Sequence, residues 1–293
     1  MENTNNNKWK YPLIKQQKTQ VIRIFRPDEI SALIDKVDLN NETSWIKGRK
    51  DHETLKDLGF TKKDLQTWLK FFLYSGTRFS EGVFIHDYRD SNGNTLYHDD
   101  GTLWVPRHKG KKLRSIQTRT IYFSYKGREI MDDFFNAPPL PHSTEEDTKL
   151  TLIDLTQILH KAGTEIGLPE ITLDISVEKT VKDKDGNVVK ELTPINQFKQ
   201  NPDGTYSKLM KEKRKTQTIE KKITTNGCAF RSLRKTWESW LTAYYGNESQ
   251  MRERILFSQG HKKEVAMTHY LEISFDSEDI KNIGEEVKGF AVS

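Results

Sequence analysis

The chain has 293 residues, which is enough for one large domain or two small ones with a substantial core. Lysine and arginine number 47 against 42 aspartates and glutamates, so the net charge is +5 and the pI is near 9.0. The single cysteine excludes a disulfide framework within the chain, and no apolar run is long enough to cross a membrane. We therefore expect a protein of the reducing cytoplasm that makes no membrane contact.

A tail and a first helix are predicted at the N-terminus. The first twenty residues are rich in Asn, Lys and Gln and show no periodicity, so we expect residues 1–22 to form a flexible tail. Pro27 and the acidic residues after it suit the first turn of a helix. The apolar stripe of that helix begins at Ile30 and continues to Val37.

The second predicted helix leads into an arginine. Thr61, with Asp64 three residues later, resembles a capping box, and large apolar residues between 65 and 73 recur at helical spacing. The helix runs into Gly76 and then Arg78. An arginine placed just past a buried helix and a glycine turn is expected to be fixed in position.

From Val83 to Ser124 the pattern predicts strands. A short strand over 103–105 and a longer one over 114–123 are joined by a turn at 108–112. The longer strand alternates basic or polar residues with Ile, Thr and Tyr. A hairpin of this kind presents a lysine, Lys109, at its tip.

Two helices and an insertion are predicted in the middle of the chain. The helices lie at 127–135 and 150–167, and residues 171–225 alternate with period two between Asp-Gly turns. We interpret this last segment as a basic, β-rich insertion. Its lysines, which recur from 179 to 222, either keep an exposed insertion soluble or contact the backbone of a polyanion such as DNA, and the sequence favours neither reading.

Two arginines one helical turn apart open the C-terminal third. Arg231 and Arg234 lie at the start of a predicted helix that buries one side. A guanidinium on such a helix is held at the edge of a core. The apolar residues at helical spacing are Leu233, Trp237, Trp240, Leu241 and Tyr244.

A short helix, a histidine and a tyrosine follow. Residues 249–258 predict a helix that Gly260 ends, so His261 follows directly on the turn. Tyr270 is expected in or beside the next short helix. Residues 273–293 carry apolar side chains at helical spacing and predict a C-terminal helix.

These residue types suit the cleavage of a phosphodiester. A tyrosine hydroxyl, with an ordinary pKa of about 10, loses its proton as it attacks phosphorus. Two arginines can each bind two phosphate oxygens and stabilise the charge that develops. A hairpin lysine can protonate the leaving oxygen, and His261 can bond a phosphate oxygen or accept the tyrosine proton. None of these steps requires a metal or another cofactor.

The motifs resemble those of the tyrosine recombinase, or phage integrase, family. Residues 75–81, SGTRFSE, resemble its first arginine motif, and residues 231–234, RSLR, are similar to its His-x-x-Arg motif. Gly260-His261, with Tyr270 nine residues later, is similar to its Gly-His and nucleophile segment. Each motif is weak alone, but together, in this order around a hairpin lysine, they are specific.

The resemblance implies a role for each residue: Arg78 and Arg234 bind the scissile phosphate, Lys109 is the general acid, His261 assists, and Tyr270 forms the 3′-phosphotyrosine. Glu81 is a supporting carboxylate that orients Arg78. Lys111 and Lys112 are alternatives to Lys109, because a slip of one residue in the hairpin exchanges their faces.

The sequence departs from the family pattern in three ways. Arg231 stands where the family usually has histidine, which keeps a phosphate donor but moves the role of general base to His261. The family usually carries a helical core-binding domain ahead of the catalytic one, so here that domain is either dispensed with or missing from a fragment. The interval between the hairpin and the second arginine motif is longer than usual, and the predicted insertion lies there.

The resemblance implies an α+β fold: a mostly helical tyrosine recombinase catalytic domain at 23–272, with a small antiparallel sheet and the basic insertion at 171–225. It implies a site-specific recombinase that integrates or excises a mobile element in the cytoplasm of a prokaryotic cell. Its partners are double-stranded DNA and further copies of the chain, from dimer to tetramer, with no small-molecule ligand. Residues 273–293 either pack on their own subunit or dock on a neighbour.

Two other functions use similar features. A type IB topoisomerase has nearly the same residues and relaxes supercoiled DNA without recombination. A DNA-binding protein with a vestigial site would bind a specific duplex and cleave nothing.

Overall fold

The computed structural model describes residues 13–17, 20–39, 55–106, 118–203, 205–246, 248–260 and 275–290. The chain divides into two compact units, one formed by Met1–Glu170 with Thr225–Ser293 and the other by Ile171–Thr224. Helices are combined with small antiparallel sheets, which agrees with the predicted α+β class. Within the described ranges no helix has both the length and the apolar character needed to cross a bilayer.

The first unit is mainly helical. Its described helices are α1 (Pro27–Lys36), α2 (Lys62–Ser75), α3 (Phe79–Asp87), α4 (Tyr125–Glu129), α5 (Met131–Asn136), α6 (Glu145–Glu165), α7 (Phe230–Tyr245), α8 (Ser249–Gln259) and α9 (Ser277–Val287). Its strands pair antiparallel as β1 (Leu13–Gln17) with β2 (Gln20–Ile24) and β3 (Thr102–Pro106) with β4 (Thr118–Tyr122).

Helix α2 lies in the core of this unit and packs against α7 and α5. Thr61 Oγ1 accepts the Asp64 N–H at 3.2 Å and the Asp64 carboxylate accepts the Thr61 N–H at 2.8 Å, so the predicted capping box is confirmed. The predicted apolar face is buried, and Trp68 donates from Nε1 to the Pro138 carbonyl at 2.9 Å. The helix ends at Gly76, whose φ of +56° is left-handed.

The N-terminal hairpin corrects a prediction. Residues 13–17 and 20–22 were expected to belong to a flexible tail over 1–22, but they lie in β1 and β2, with Leu13 opposite Ile24. The side chains of Ile22 and Ile24 are buried. The prediction was wrong because Lys15, Gln16 and Gln17 give β1 a polar composition, and the pairing with β2 is not visible in local composition. Residues 1–12 lie outside the described part of the chain.

Arg23 is a fully buried residue that the sequence patterns did not single out. Its guanidinium donates from Nε to the Asn226 carbonyl at 2.7 Å and from Nη2 to the Pro169 carbonyl at 2.7 Å. Its Nη1 lies 3.7 Å from Oε1 of Glu29, which is also buried. Arg23 thereby holds together the two segments of the first unit that flank residues 171–224.

Several element boundaries differ from the predictions. Residues 79–87 are helix α3, although strands were predicted from Val83 onward, because the apolar pair Val83 and Ile85 imitates strand alternation. The single helix predicted at 127–135 is divided into α4 and α5 at Ile130. Helix α6 begins five residues before the predicted position because Thr144 forms a capping box with Asp147.

The C-terminal helix α9 packs on its own chain. Asp279 accepts from Nε of Arg26 at 3.1 Å, and Glu286 accepts the Tyr74 hydroxyl at 2.9 Å. The Tyr245 hydroxyl donates to the Val287 carbonyl at 3.2 Å. Docking of this segment on a neighbouring copy stays a prediction.

The second unit consists of strands alone. Strand β5 (Ile171–Thr180) pairs with β8 (Thr216–Thr225), and β6 (Lys190–Gln200) pairs with β7 (Tyr206–Arg214). The hydroxyls of Thr172 and Thr224 are 2.9 Å apart where the unit begins and ends. Its described side chains are all exposed or half-buried. The unit has almost the same bounds as the insertion predicted at 171–225.

Replacing Arg23 with Met is expected to lower the free energy of unfolding by about 3–5 kcal/mol, because two carbonyls lose their donor and Glu29 keeps only Arg26, at 3.6 Å, as a paired cation. Urea denaturation measures the change. The control is Lys36→Met, which removes an exposed pair with Glu165 at 3.7 Å and should cost less than about 1 kcal/mol. Equal losses in the two variants would contradict the role given to Arg23.

Candidate active site

Arg78 and Arg234 converge on one carboxylate. Arg78 follows the left-handed turn at Gly76 and begins α3, and Arg234 lies in the second turn of α7. Glu81, buried in the first turn of α3, accepts from Nη1 of Arg78 at 3.1 Å and from its backbone N–H at 2.8 Å. Nη1 of Arg234 lies 3.9 Å from Oε2 of Glu81, the oxygen that accepts the Arg78 N–H. Two residues far apart in sequence thus share one anion.

A third arginine, Arg119, completes the cluster. Its side chain is only 1 % exposed, and Nη2 lies 2.8 Å from Oε2 of Glu81. Nη1 donates to the Ser258 carbonyl at the end of α8. We call the four residues Arg78, Glu81, Arg119 and Arg234 the arginine cluster.

The sequence contained a signal for Arg119 that the strand pattern concealed. The sequence pattern predicted that Ile116, Thr118, Thr120 and Tyr122 share one face of this strand. The structure instead buries Arg119, Ile121 and Phe123, which alternate with them. A charged residue in register with two fully buried apolar residues requires a buried partner, and Glu81 supplies it.

Arg234 connects three segments. Its Nε pairs with Glu238, one turn later in α7, at 2.9 Å. Nη1 donates to the Gly76 carbonyl and Nη2 to the Gln259 carbonyl, each at 2.6 Å. The Gln259 carbonyl belongs to the last turn of α8, where helix carbonyls lack intrahelical donors and carry partial negative charge. The guanidinium therefore satisfies the end of α8 while it faces Glu81.

The electrostatics favour an ionised carboxylate. Burial acts to raise the pKa of Glu81, but the charge of Arg119, the backbone N–H of Arg78 and the two other arginines outweigh it and leave that pKa below its ordinary value. Burial lowers the pKa of Arg119 to about 10, against the opposing effect of Glu81. Arg119 therefore stays protonated at neutral pH.

The turn at Gly76 and the end of α8 are in close contact. A Cβ on Gly76 would overlap the side-chain amide of Gln259. That amide and the Ser258 hydroxyl are buried and have no hydrogen-bond partner within the described residues. The left-handed backbone at position 76 favours glycine, and a larger residue there would also displace the buried Gln259 amide.

Of the remaining predicted site residues, the structure describes only Arg231. Arg231 lies one turn before Arg234 in α7 and is exposed. Lys109, with its alternatives Lys111 and Lys112, and both His261 and Tyr270 lie outside the described residues. Gly260, the neighbour of His261, ends α8 with a φ of +63°, and a Cβ on it would be 3.4 Å from Cδ of Arg119. Gly260 therefore lies beside the arginine cluster.

The cluster can bind a dianionic or monoanionic oxygen group. It has three cations and one buried anion, and 48 % of the Arg78 side chain is exposed. Guanidinium groups are planar and always charged near neutral pH, so a phosphate reaching Arg78 meets a donor whose direction Glu81 sets. Arg119 is too buried for solvent contact and acts by holding Glu81 and α8 in place.

Comparisons with protein-family models, with curated proteins and with solved structures found no match for this chain. The geometry and the sequence motifs therefore carry the functional argument.

Replacing Glu81 with Gln should lower the free energy of unfolding by about 3–5 kcal/mol near neutral pH, because Arg119 then stays buried without an anion. Since the folded-state pKa lies below the ordinary value of about 4.3, the carboxylate stabilises the fold above that pH and loses its effect as pH falls through the folded pKa. The difference between wild type and E81Q is thus expected to be constant above about pH 5 and to shrink below about pH 4.

Urea denaturation at several pH values measures this difference. The matched control is Asp133→Asn, which removes an exposed pair with Lys63 at 3.0 Å and should cost less than about 1 kcal/mol. A difference for E81Q that does not change between neutral and acid pH would show that Glu81 is not ionised in the fold.

Replacing Gly76 with Ala should cost more than replacing Gly59 with Ala. Both glycines have positive φ, +56° and +80°, so both variants lose about 1–2 kcal/mol to backbone strain. Nothing lies within 4 Å of a Cβ on Gly59, whereas at Gly76 the Gln259 amide must move, at a further cost of about 1–3 kcal/mol. Thermal and urea denaturation of the two variants check the difference, and equal costs would mean that the α2–α8 contact is not tight.

Proposed function

We propose that this protein is a site-specific DNA recombinase of the tyrosine recombinase kind. It cleaves and rejoins duplex DNA through a 3′-phosphotyrosine, and it integrates or excises a mobile element. The observation that supports this most directly is the meeting of Arg78 and Arg234 at the Glu81 carboxylate. The resemblance of the motifs requires that convergence, because both arginines must reach one phosphate.

The position of α8 supports the same proposal. Arg119 and Arg234 donate to the carbonyls of Ser258 and Gln259, so the end of α8 is held against the cluster. Gly260 caps that helix and His261 is the next residue in the sequence. In the proposed reaction His261 acts on the phosphate that Arg78 binds.

The proposed reaction needs no input of energy beyond the DNA itself. The Tyr270 hydroxyl attacks the scissile phosphorus, a P–O bond to tyrosine forms, and the bond to the 5′-oxygen breaks. His261 accepts the tyrosine proton and Lys109 protonates the leaving 5′-oxygen. A 5′-hydroxyl of another strand then attacks the phosphotyrosine and reverses each step.

Arg78 and Arg234 stabilise the charge that grows on the non-bridging oxygens. Arg231 stands in the position where the family usually has histidine, and in this chain it donates to the phosphate and takes no proton. Glu81 and Arg119 are positioning residues, since they hold the arginines and the end of α8 and touch no reacting atom.

Replacing Tyr270 with Phe should abolish covalent trapping of DNA and leave DNA binding nearly unchanged, because only the attacking oxygen is lost. The substrate is a pool of nicked duplexes of random sequence, from which a covalent complex cannot religate. Denaturing electrophoresis detects the complex, and peptide mapping identifies the linked residue.

The control is Tyr206→Phe, which removes an exposed hydroxyl in the second unit and should trap DNA as wild type does. Trapping that persists in Y270F would assign the nucleophile to another residue. Wild-type protein that binds duplex DNA but never becomes linked to it would overturn the recombinase function. Relaxation of supercoiled plasmid without recombinant products would identify a topoisomerase.

A further inference from the structure

The second unit carries most of the net charge of the chain. Residues 171–224 hold twelve lysines and arginines against eight acidic residues, a net of +4 out of +5 for the whole protein. The unit has no buried side chain among those described, so its basic residues do not serve a core of its own. Every residue of β7 is exposed.

The register of β6 and β7 separates their side chains onto two faces. Cross-strand partners share a face, and residues alternate along each strand. Glu191 pairs with Lys213, Thr193 with Lys211 and Lys199 with Ser207, so these six residues lie on one face, which Leu209 of β7 shares. We call it the lysine face, and its three lysines are exposed.

The opposite face carries the same number of cations, because Lys190, Lys208 and Arg214 lie on it together with one acid, Glu212. It differs in that Leu192, Met210 and Tyr206 are exposed on it and the Lys190 ammonium is paired with Glu212 at 3.1 Å. The lysine face offers ammonium and hydroxyl donors with one acid, and among the described residues its lysines form no ion pair. Exposed cations in a row suit a polyanion, and a two-stranded ribbon has the width that the major groove of B-DNA admits.

We propose that the lysine face of the β6–β7 ribbon binds the phosphate backbone of duplex DNA. The assignment rests on the proposed function only in its choice of DNA as the polyanion. The ribbon adds affinity to the contacts at the arginine cluster, and it is independent of the chemistry at Tyr270. Phosphate contacts give affinity without reading sequence, so the ribbon strengthens binding to any duplex.

The experiment compares two full-length variants of equal charge. One is K199A/K211A/K213A on the lysine face, and the other is K36A/K62A/K63A, which removes three exposed lysines from the first unit. Binding of an arbitrary-sequence duplex is followed by fluorescence anisotropy over a range of KCl concentrations. Each lost phosphate contact reduces the slope of log K against log [KCl] by about 0.9.

The ribbon variant is expected to reduce that slope by about 2.7 and the first-unit variant by less than about 1. L192A/M210A, on the opposite face, should keep the wild-type slope. Equal reductions in both lysine variants would mean that only net charge matters, and an unchanged slope in the ribbon variant would also overturn the proposal. Loss of self-association in the ribbon variant with an unchanged slope would assign the face to a second copy of the chain.

Covalent trapping separates this proposal from the proposed function. A ribbon variant with the reduced slope supports the DNA contact whether or not the wild-type protein becomes linked to DNA. If the wild-type protein is trapped at Tyr270 and the slope of the ribbon variant is unchanged, the ribbon contact is refuted and the recombinase function is not. The substituted side chains are exposed, so the thermal midpoint of each variant should equal that of the wild type and serves as the check on folding.

Discussion

The arrangement of the first unit around its candidate site depends on the Glu81 carboxylate. Three arginines from three separate elements are directed at it, and only one of them, Arg78, is near it in sequence. Like charges at this distance repel, so the cluster is stable only with an anion at its centre. The carboxylate in turn can be buried only because Arg119 and the Arg78 N–H compensate its loss of hydration.

The same arginines connect the cluster to the end of α8. Arg119 and Arg234 each use one guanidinium nitrogen for Glu81 and another for a carbonyl of the last helical turn. A displacement of α8 would therefore break bonds to both arginines together. This coupling joins the end of α8 to Arg78 through the shared Glu81 carboxylate, and the left-handed turn at Gly76 contacts the same end of the helix.

The two segments of the first unit that flank the second unit are joined within the first unit. Arg23 binds the carbonyls of Pro169 and Asn226, one on each side of the insertion, from inside the first unit. The second unit spans Ile171–Thr224, and near its two ends the hydroxyls of Thr172 and Thr224 are 2.9 Å apart. An insertion with adjacent ends can lengthen or change with little strain on its host.

The sequence alone determined the features that short-range rules govern. Capping at Thr61, the apolar stripes of α2 and α7, the stop at Gly260 and the antiparallel pairing of β3 with β4 follow from contacts within a few residues or from simple alternation. The order of the motifs also predicted that Arg78 and Arg234 lie at one site, although no local rule brings them together.

Only the tertiary structure decided which face of β4 is buried, that Arg119 joins Glu81, and that Arg23 holds the flanks of the insertion. It also showed that residues 13–17 pair with residues 20–24, a pairing that local composition does not reveal. These contacts join residues far apart in the chain, and each depends on the removal of water from both partners at once. Local periodicity carries no information about such pairs, because the free energy of a buried charge is set by what surrounds it after folding.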